Sequence, residues 1–93
     1  MEVEGIIIEV LPVREGTSKV TGKPWRIAEY VLETLEQYPK NILFQVSDGE
    51  NGRIARLNIQ QNARMRICFD LSATKSAEGR WFNKVTAYDA RLI

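Results

Sequence analysis

One short segment has apolar residues spaced as in a helix, whereas the other regularly patterned segments of the chain are typical of β-strands. Ile54, Leu57 and Ile59 follow a helical period over about two to three turns, directly after the turn sequence SDGENG. The remaining patterned segments are rich in β-branched and aromatic residues, which favours strands. The predicted strands cover residues 3–11, 25–35 and 42–46 before the helix, and residues 64–72 and 80–93 after it.

The resulting order is strand, strand, strand, helix, strand, strand, which is the order of the oligonucleotide/oligosaccharide-binding (OB) barrel. An SH3-like barrel lacks a helix at that place. A ferredoxin-like fold needs a second helix after the first strand, where REGTSKVTGK (14–23) is broken by glycines and is predicted to be a loop. We therefore predict an all-β fold, a five-stranded OB barrel with one short helix between strands 3 and 4, in a single domain over residues 1–93.

Alternation within the strands indicates which side chains face the barrel interior. The predicted inward rows are Ala28, Tyr30, Leu32 and Thr34 on the second strand, Ile42, Phe44 and Val46 on the third, and Met65, Ile67, Phe69 and Leu71 on the fourth. Gly5 predicts a bulge or bend in the first strand. Residues 73–79, ATKSAEG, are predicted to form a polar loop.

The composition argues against an enzyme and indicates a cytoplasmic binding protein. The chain has no histidine, so the commonest general base and the histidine-dependent catalytic triads are absent. Its single cysteine, Cys68, cannot form an internal disulfide or a zinc site, and it fits a reducing compartment. The apolar runs are far too short to span a membrane, and MEVEG does not resemble a secretory signal. We expect no metal and no cofactor.

The net charge is only +1, but both loops that flank the open face of an OB barrel are basic. The first carries Arg14, Lys19 and Lys23, and the second carries Lys75 and Arg80. Each of these loops leads into a tryptophan beside an arginine, Trp25 with Arg26 and Trp81 with Arg80. Aromatic side chains stack on bases, and lysine or arginine follows the phosphates. The predicted nucleic-acid contacts are Lys23, Trp25, Arg26, Arg80, Trp81, Phe82 and Lys84.

These residues predict that the protein binds single-stranded nucleic acid with little sequence preference. We expect DNA to be the ligand in preference to RNA. We also expect the protein to self-associate. The alternative structural role for either tryptophan is to close an end of the barrel, and the two interpretations have similar weight. Glu29 and Glu33 lie opposite the predicted core row and would repel phosphates. Because Ile27 and Val31 share that face, an OB module for oligomerisation or protein adaptors, without nucleic-acid affinity, is the alternative function. Binding of an oligosaccharide or small ligand is a third.

Three stretches resemble a known family: MEVEGIIIEVLP, GTSKVTGKPWRIAEYVLETLEQYPKNILFQV and EGRWFNKVTAYDA. They closely resemble the small Bacteroidetes-type proteins catalogued as DUF3127, and the resemblance covers nearly the whole chain. Its most specific parts are GKPW followed by EYVLET, and GRWFN near the C-terminus. Members of that family are similar in outline to single-stranded DNA-binding proteins. The resemblance therefore implies an OB fold, and it implies no established activity.

Overall fold

Six strands and one helix form the part of the chain that this computed structural model describes, residues 1–49 and 52–93. Two residues of the predicted turn SDGENG, 50 and 51, lie outside the described residues. The elements are β1 (Glu2–Val10), β2 (Arg14–Thr17), β3 (Pro24–Thr34), β4 (Asn41–Ser47), α1 (Arg53–Leu57), β5 (Arg64–Lys75) and β6 (Trp81–Leu92).

The sheet closes into a barrel of five strands. The strand order is β1-β5-β6-β4-β3-β2, and an additional pairing of β1 with β3 completes the ring. The contact between β4 and β6 is parallel, through Gln45 and Thr86, and the other pairings are antiparallel. Since α1 lies between β4 and β5, the predicted OB barrel with its helix between the third and fourth barrel strands is confirmed.

The ring closes at Gly5, which pairs with Thr34 of β3 and with Met65 of β5. A Cβ atom at Gly5 would overlap the carbonyl oxygen of Glu33 and would lie 2.5 Å from Leu32 Cδ2. The glycine is therefore required for the close approach of two backbones. The predicted bulge at Gly5 is wrong, because the irregularity in β1 lies between Ile7 and Glu9.

The buried rows agree with the alternation of the sequence along most of the barrel. Tyr30 and Phe44 stack with their ring centroids 5.4 Å apart, and α1 packs Ile54 and Leu57 against this core. The hydroxyl of Thr34 accepts a hydrogen bond from the backbone N–H of Lys40, which satisfies a buried polar group. The buried apolar side chains are Ile7, Ala28, Tyr30, Leu32, Phe44, Val46, Ile59, Met65, Ile67 and Ala87.

The prediction that Leu71 faces the core is wrong, since 54% of this residue is exposed. β5 pairs with β1 only as far as Cys68, whereas its pairing with β6 continues to Lys75. Residues 71–75 and 81–85 thus form a two-stranded arm, here called the β5–β6 arm, that extends beyond the barrel. The predicted loop at 73–79 is correspondingly shorter, because its first three residues belong to β5.

A second correction concerns residues 14–23, which were predicted to be a loop. Arg14–Thr17 forms β2 and pairs with the start of β3, so that residues 14–27 make a second hairpin, the β2–β3 arm. The hydroxyl of Ser18 accepts hydrogen bonds from the backbone N–H groups of Val20 and Thr21. These bonds form the polar turn that the composition of GTSKVTGK predicts, but within a hairpin.

The buried phenol of Tyr30 gives the stability of the barrel a dependence on alkaline pH. Burial raises the pKa of Tyr30 above its ordinary value of 10.0. Above pH 10 the unfolded chain loses this proton before the folded chain does, so the stability that is present below pH 10 declines as the pH rises. We expect Tyr30→Phe to remove part of this decline in the free energy of unfolding by urea between about pH 8 and about pH 11.

The matched control is Tyr38→Phe, because Tyr38 is 76% exposed and should leave the alkaline decline unchanged. An equal decline in the wild type and in Tyr30→Phe would contradict this prediction.

Candidate functional site

One continuous surface joins the outer sides of β3, β4 and β6. Side chains of β3 that alternate with the buried row face this surface, among them Trp25, Ile27 and Glu29. Glu29 pairs with Gln45 of β4, and Gln45 pairs in turn with Thr86 of β6. This row links the three strands, and the surface that carries it is called the outer face below.

A shallow groove lies between the outer face and the adjacent β5–β6 arm. Its volume is about 150 Å³, below the roughly 300–1,000 Å³ of sites for drug-sized ligands. The groove could accept one planar ring, but it does not enclose a larger molecule. The side chains that define it are Glu29, Leu43, Gln45, Thr74, Phe82 and Lys84.

The β5–β6 arm has two exposed faces with different aromatic residues. Phe82 pairs with Thr74 and lies on the groove side, where the guanidinium of Arg80 is 5.7 Å from the Phe82 ring centroid. Trp81 pairs with Lys75 on the opposite face, with the Lys75 ammonium 5.9 Å from the indole centroid. Because consecutive residues of a strand point to opposite sides, Trp81 and Phe82 cannot form one stacking surface.

On the β2–β3 arm, Trp25 lies across the backbone of Gly16, its partner in the hairpin. A Cβ atom at Gly16 would be 2.7 Å from Trp25 Cζ2, so the indole rests directly on the glycine. Trp25 remains 42% exposed. One face of the indole packs on Gly16 and the other face is exposed to solvent. The exposed face is therefore available for stacking with an aromatic ring of a ligand. Trp25 lies about 13 Å along β3 from Glu29, at about 3.3 Å per residue.

The cations of the β2–β3 arm are partly neutralised. The guanidinium of Arg26 lies 3.6 Å from a carboxylate oxygen of Glu15 and 3.7 Å from one of Asp48, and Arg14 Nε lies 3.0 Å from Glu29 Oε1. The arginine side chains of these pairs are half exposed, so the pairs contribute little to stability, but they lower the local positive charge.

The cations of the β5–β6 arm are different. Lys75, Arg80 and Lys84 form no ion pair with the carboxylates of residues 1–49 and 52–93. The β5–β6 arm is therefore the more favourable of the two for a phosphate group.

The structure divides the seven residues predicted from the sequence. Trp25 lies on the outer face, and Arg80, Phe82 and Lys84 lie on the groove side of the β5–β6 arm. Arg26 and Trp81 lie on the opposite faces of their arms, and Lys23 ends the turn that joins β2 to β3, where its backbone carbonyl accepts a hydrogen bond from Ser18. Trp81 and Phe82, both predicted contacts, therefore lie on opposite faces of the β5–β6 arm.

Sequence reasoning missed two polar residues of this region, Gln45 and Thr74, and counted Arg14 only as a cation of the first loop. Gln45 could have been identified from its alternation with Phe44 and Val46. Thr74 could not, because its segment was predicted to be a loop, whose side chains have no assigned face.

No group of three or more histidine, cysteine, aspartate or glutamate residues that could hold a metal ion occurs within the described residues. The only helix in this part of the chain, α1, has five residues and is too short to cross a membrane.

Comparison with known proteins gives a family and a fold. Residues 2–91 match the sequence model of the family described as "Domain of unknown function (DUF3127)". A search of curated proteins found no match. Among solved structures, the chain is similar to the mitochondrial single-stranded DNA-binding protein Rim1 of S. cerevisiae, with a TM-score of 0.69 and 14% sequence identity over 100% of this chain and 92% of that one. At this identity the likeness establishes the fold alone.

The contact between Trp25 and Gly16 can be tested by fluorescence. In a Trp81→Phe background, Trp25 is the only tryptophan. We expect Gly16→Ala to displace the indole, because the new methyl group would occupy its position. Acrylamide quenching should increase and the emission should shift to longer wavelength. Val20→Ala, at the 94% exposed tip of the same arm, is the control and should change neither. Unchanged quenching in Gly16→Ala would show that Gly16 does not hold the indole.

Proposed function

The chain belongs to the DUF3127 family, and we propose that it binds single-stranded nucleic acid on its outer face without catalysing a reaction. The observation that carries this proposal is the pair of exposed aromatic side chains, Trp25 and Phe82, on the two arms that flank one open sheet face. Stacking on such side chains and a cationic margin are the two elements of sequence-tolerant single-strand binding.

The proposed path starts at Trp25, crosses the outer face and ends in the groove at Phe82. One base stacks on each aromatic ring, while Arg80 and Lys84 neutralise phosphates at the margin of the groove. The distance of about 13 Å between Trp25 and Glu29 alone spans more than one nucleotide.

The other predicted contacts have smaller proposed roles. Lys23 stands beside Trp25 at the end of its turn and is proposed to contact a phosphate there. Arg26 and Trp81 would be reached only by a strand that passes over the edge of an arm.

We propose DNA as the ligand because the structurally similar Rim1 is described as binding single-stranded DNA. The free thiol of Cys68 supports a reducing compartment, and we propose the cytoplasm.

The path can be tested with a fluorescently labelled single-stranded DNA of mixed sequence, about 15 nucleotides long. We expect saturable binding that weakens with salt. Phe82→Ala should weaken it by about 5- to 150-fold, the equivalent of roughly 1–3 kcal/mol for a stacked base. Lys84→Gln should also lower the slope of log K against log salt by about 0.7, since one phosphate contact is lost.

Arg64→Gln is the control for charge, because Arg64 is exposed near the β1 edge of β5, far from the arm. It should leave the affinity unchanged. The absence of saturable binding at low salt, or an equal loss in Arg64→Gln and Lys84→Gln, would reject the proposed path.

Self-association is the second candidate function, and one observation favours it. On the arm face turned away from the groove, Leu71 is 54% exposed beside its cross-strand partner Val85, and Trp81 is 67% exposed nearer the tip of the arm. Exposed apolar side chains of this size on one face of a hairpin are typical of contact surfaces between proteins. A second copy of the chain on this face would leave the outer face open for nucleic acid.

Sedimentation velocity at increasing protein concentration tests this candidate. We expect association that persists at high salt, because apolar contacts are not screened, and that is lost in Trp81→Ala. Tyr38→Ala is the control, since Tyr38 is the more exposed aromatic residue but lies outside the arm. A chain that stays monomeric at every concentration would remove self-association from consideration.

A further inference from the structure

The groove beside Phe82 contains a carboxylate that a site for phosphates alone would not have. Glu29 lies on the outer face, its side chain is 23% exposed, and it is one of the residues that line the groove. Arg14 Nε holds its Oε1 atom at 3.0 Å, which restricts the orientation of the carboxylate. A carboxylate in this position determines whether the phosphate group or the base of a nucleotide can occupy the groove.

The charges around the groove favour one orientation of a bound nucleotide. Glu29 and Arg14 largely neutralise each other and offer little attraction to a phosphate group, whereas Lys84 and Arg80 at the margin attract one. A carboxylate only accepts hydrogen bonds, so it favours the N–H donors on the edge of a base. With the phosphates at the cationic margin and the ring against Phe82, the edge of the base is directed towards Glu29.

We propose that Glu29 makes this groove select bases that carry an exocyclic amino group, so that cytosine binds better than uracil or thymine. The inference rests on the proposed single-strand binding. Cytosine presents an N4 amino group as a donor, and glutamate is a usual acceptor for it. Uracil has the carbonyl oxygen O4 at the same position. Because O4 and the carboxylate of Glu29 are both acceptors, no hydrogen bond can form between them.

Size does not distinguish the two bases, because cytosine and uracil have the same ring and the groove of about 150 Å³ accepts one ring of either kind. Gln45, the cross-strand neighbour of Glu29, cannot discriminate by itself, since its amide can donate as well as accept. Lys84 only donates, but its proposed partner is a phosphate. Glu29 is therefore the group with a fixed preference that remains for the edge of the base. The expected lack of sequence preference would hold along the rest of the path but not in the groove.

The test compares labelled oligo-dC and oligo-dU of about 8 nucleotides, at a mildly alkaline pH at which cytosine is neutral. In the wild type, oligo-dC should bind about tenfold more tightly or better. Glu29→Gln should reduce the ratio of the two affinities to near one, because a glutamine amide can accept from cytosine N4 or donate to uracil O4. Glu33→Gln is the matched control, the other glutamate on the same side of β3 but outside the groove, and it should retain the wild-type ratio.

Each other result overturns a stated part of the argument. Equal binding of the two oligonucleotides by the wild type overturns the base selection and leaves single-strand binding intact. A preference for oligo-dC that persists in Glu29→Gln, or that is lost equally in Glu33→Gln, removes Glu29 as the selecting group. Failure of both oligonucleotides to bind at low salt overturns the proposed function, and the base selection with it. The wild-type comparison requires no variant, so it does not depend on the folding of Glu29→Gln.

Discussion

The barrel depends on the close approach of three backbones at Gly5. Here β1 pairs with β3 on one side and with β5 on the other, and even a methyl group would overlap the carbonyl oxygen of Glu33. This closure buries the inward rows of the barrel strands, including Leu32 and Ile67. It also fixes which sides of β3 and β4 face outwards. The open surface that carries Glu29 and Gln45 is thus a consequence of the closure of the ring.

The candidate site arises because two hairpins are longer than the barrel that they help to form. A strand within the ring has one face towards the core, but a strand beyond the ring exposes both faces. For this reason the β2–β3 arm and the β5–β6 arm can present Trp25 and Phe82 without removing a core residue. The same extension exposes Leu71 and Trp81 on the far side of the second arm. One structural feature therefore produces both a candidate ligand surface and a candidate protein contact.

Local patterns in the sequence were sufficient for the order of the five barrel strands and the helix, and for most of the core, but not for β2. The row through Tyr30 and Leu32 follows from alternation, and the helix between β4 and β5 follows from a change of period. Alternation cannot show where the barrel ends along a strand, because that depends on a partner distant in sequence. This is why alternation predicts Leu71 in the core. Arg14 is predicted in a loop for another reason, the glycines of REGTSKVTGK, although β2 pairs with the nearby start of β3. Whether Trp81 or Phe82 faced the groove depended on how β5 pairs with β6, which the mixed pattern of the last strand left open.

The near-neutral charge of the chain conceals a difference between its two arms. Arg14 and Arg26 lie beside carboxylates, so the first arm is suited to stacking through Trp25 more than to attraction of phosphates. The second arm has three cations without a carboxylate partner among the described residues. If all three released counterions on binding a single strand, the slope of log K against log salt would be only about −2. Binding at this site would then depend on aromatic contacts and on the edge of the base at Glu29 more than on charge.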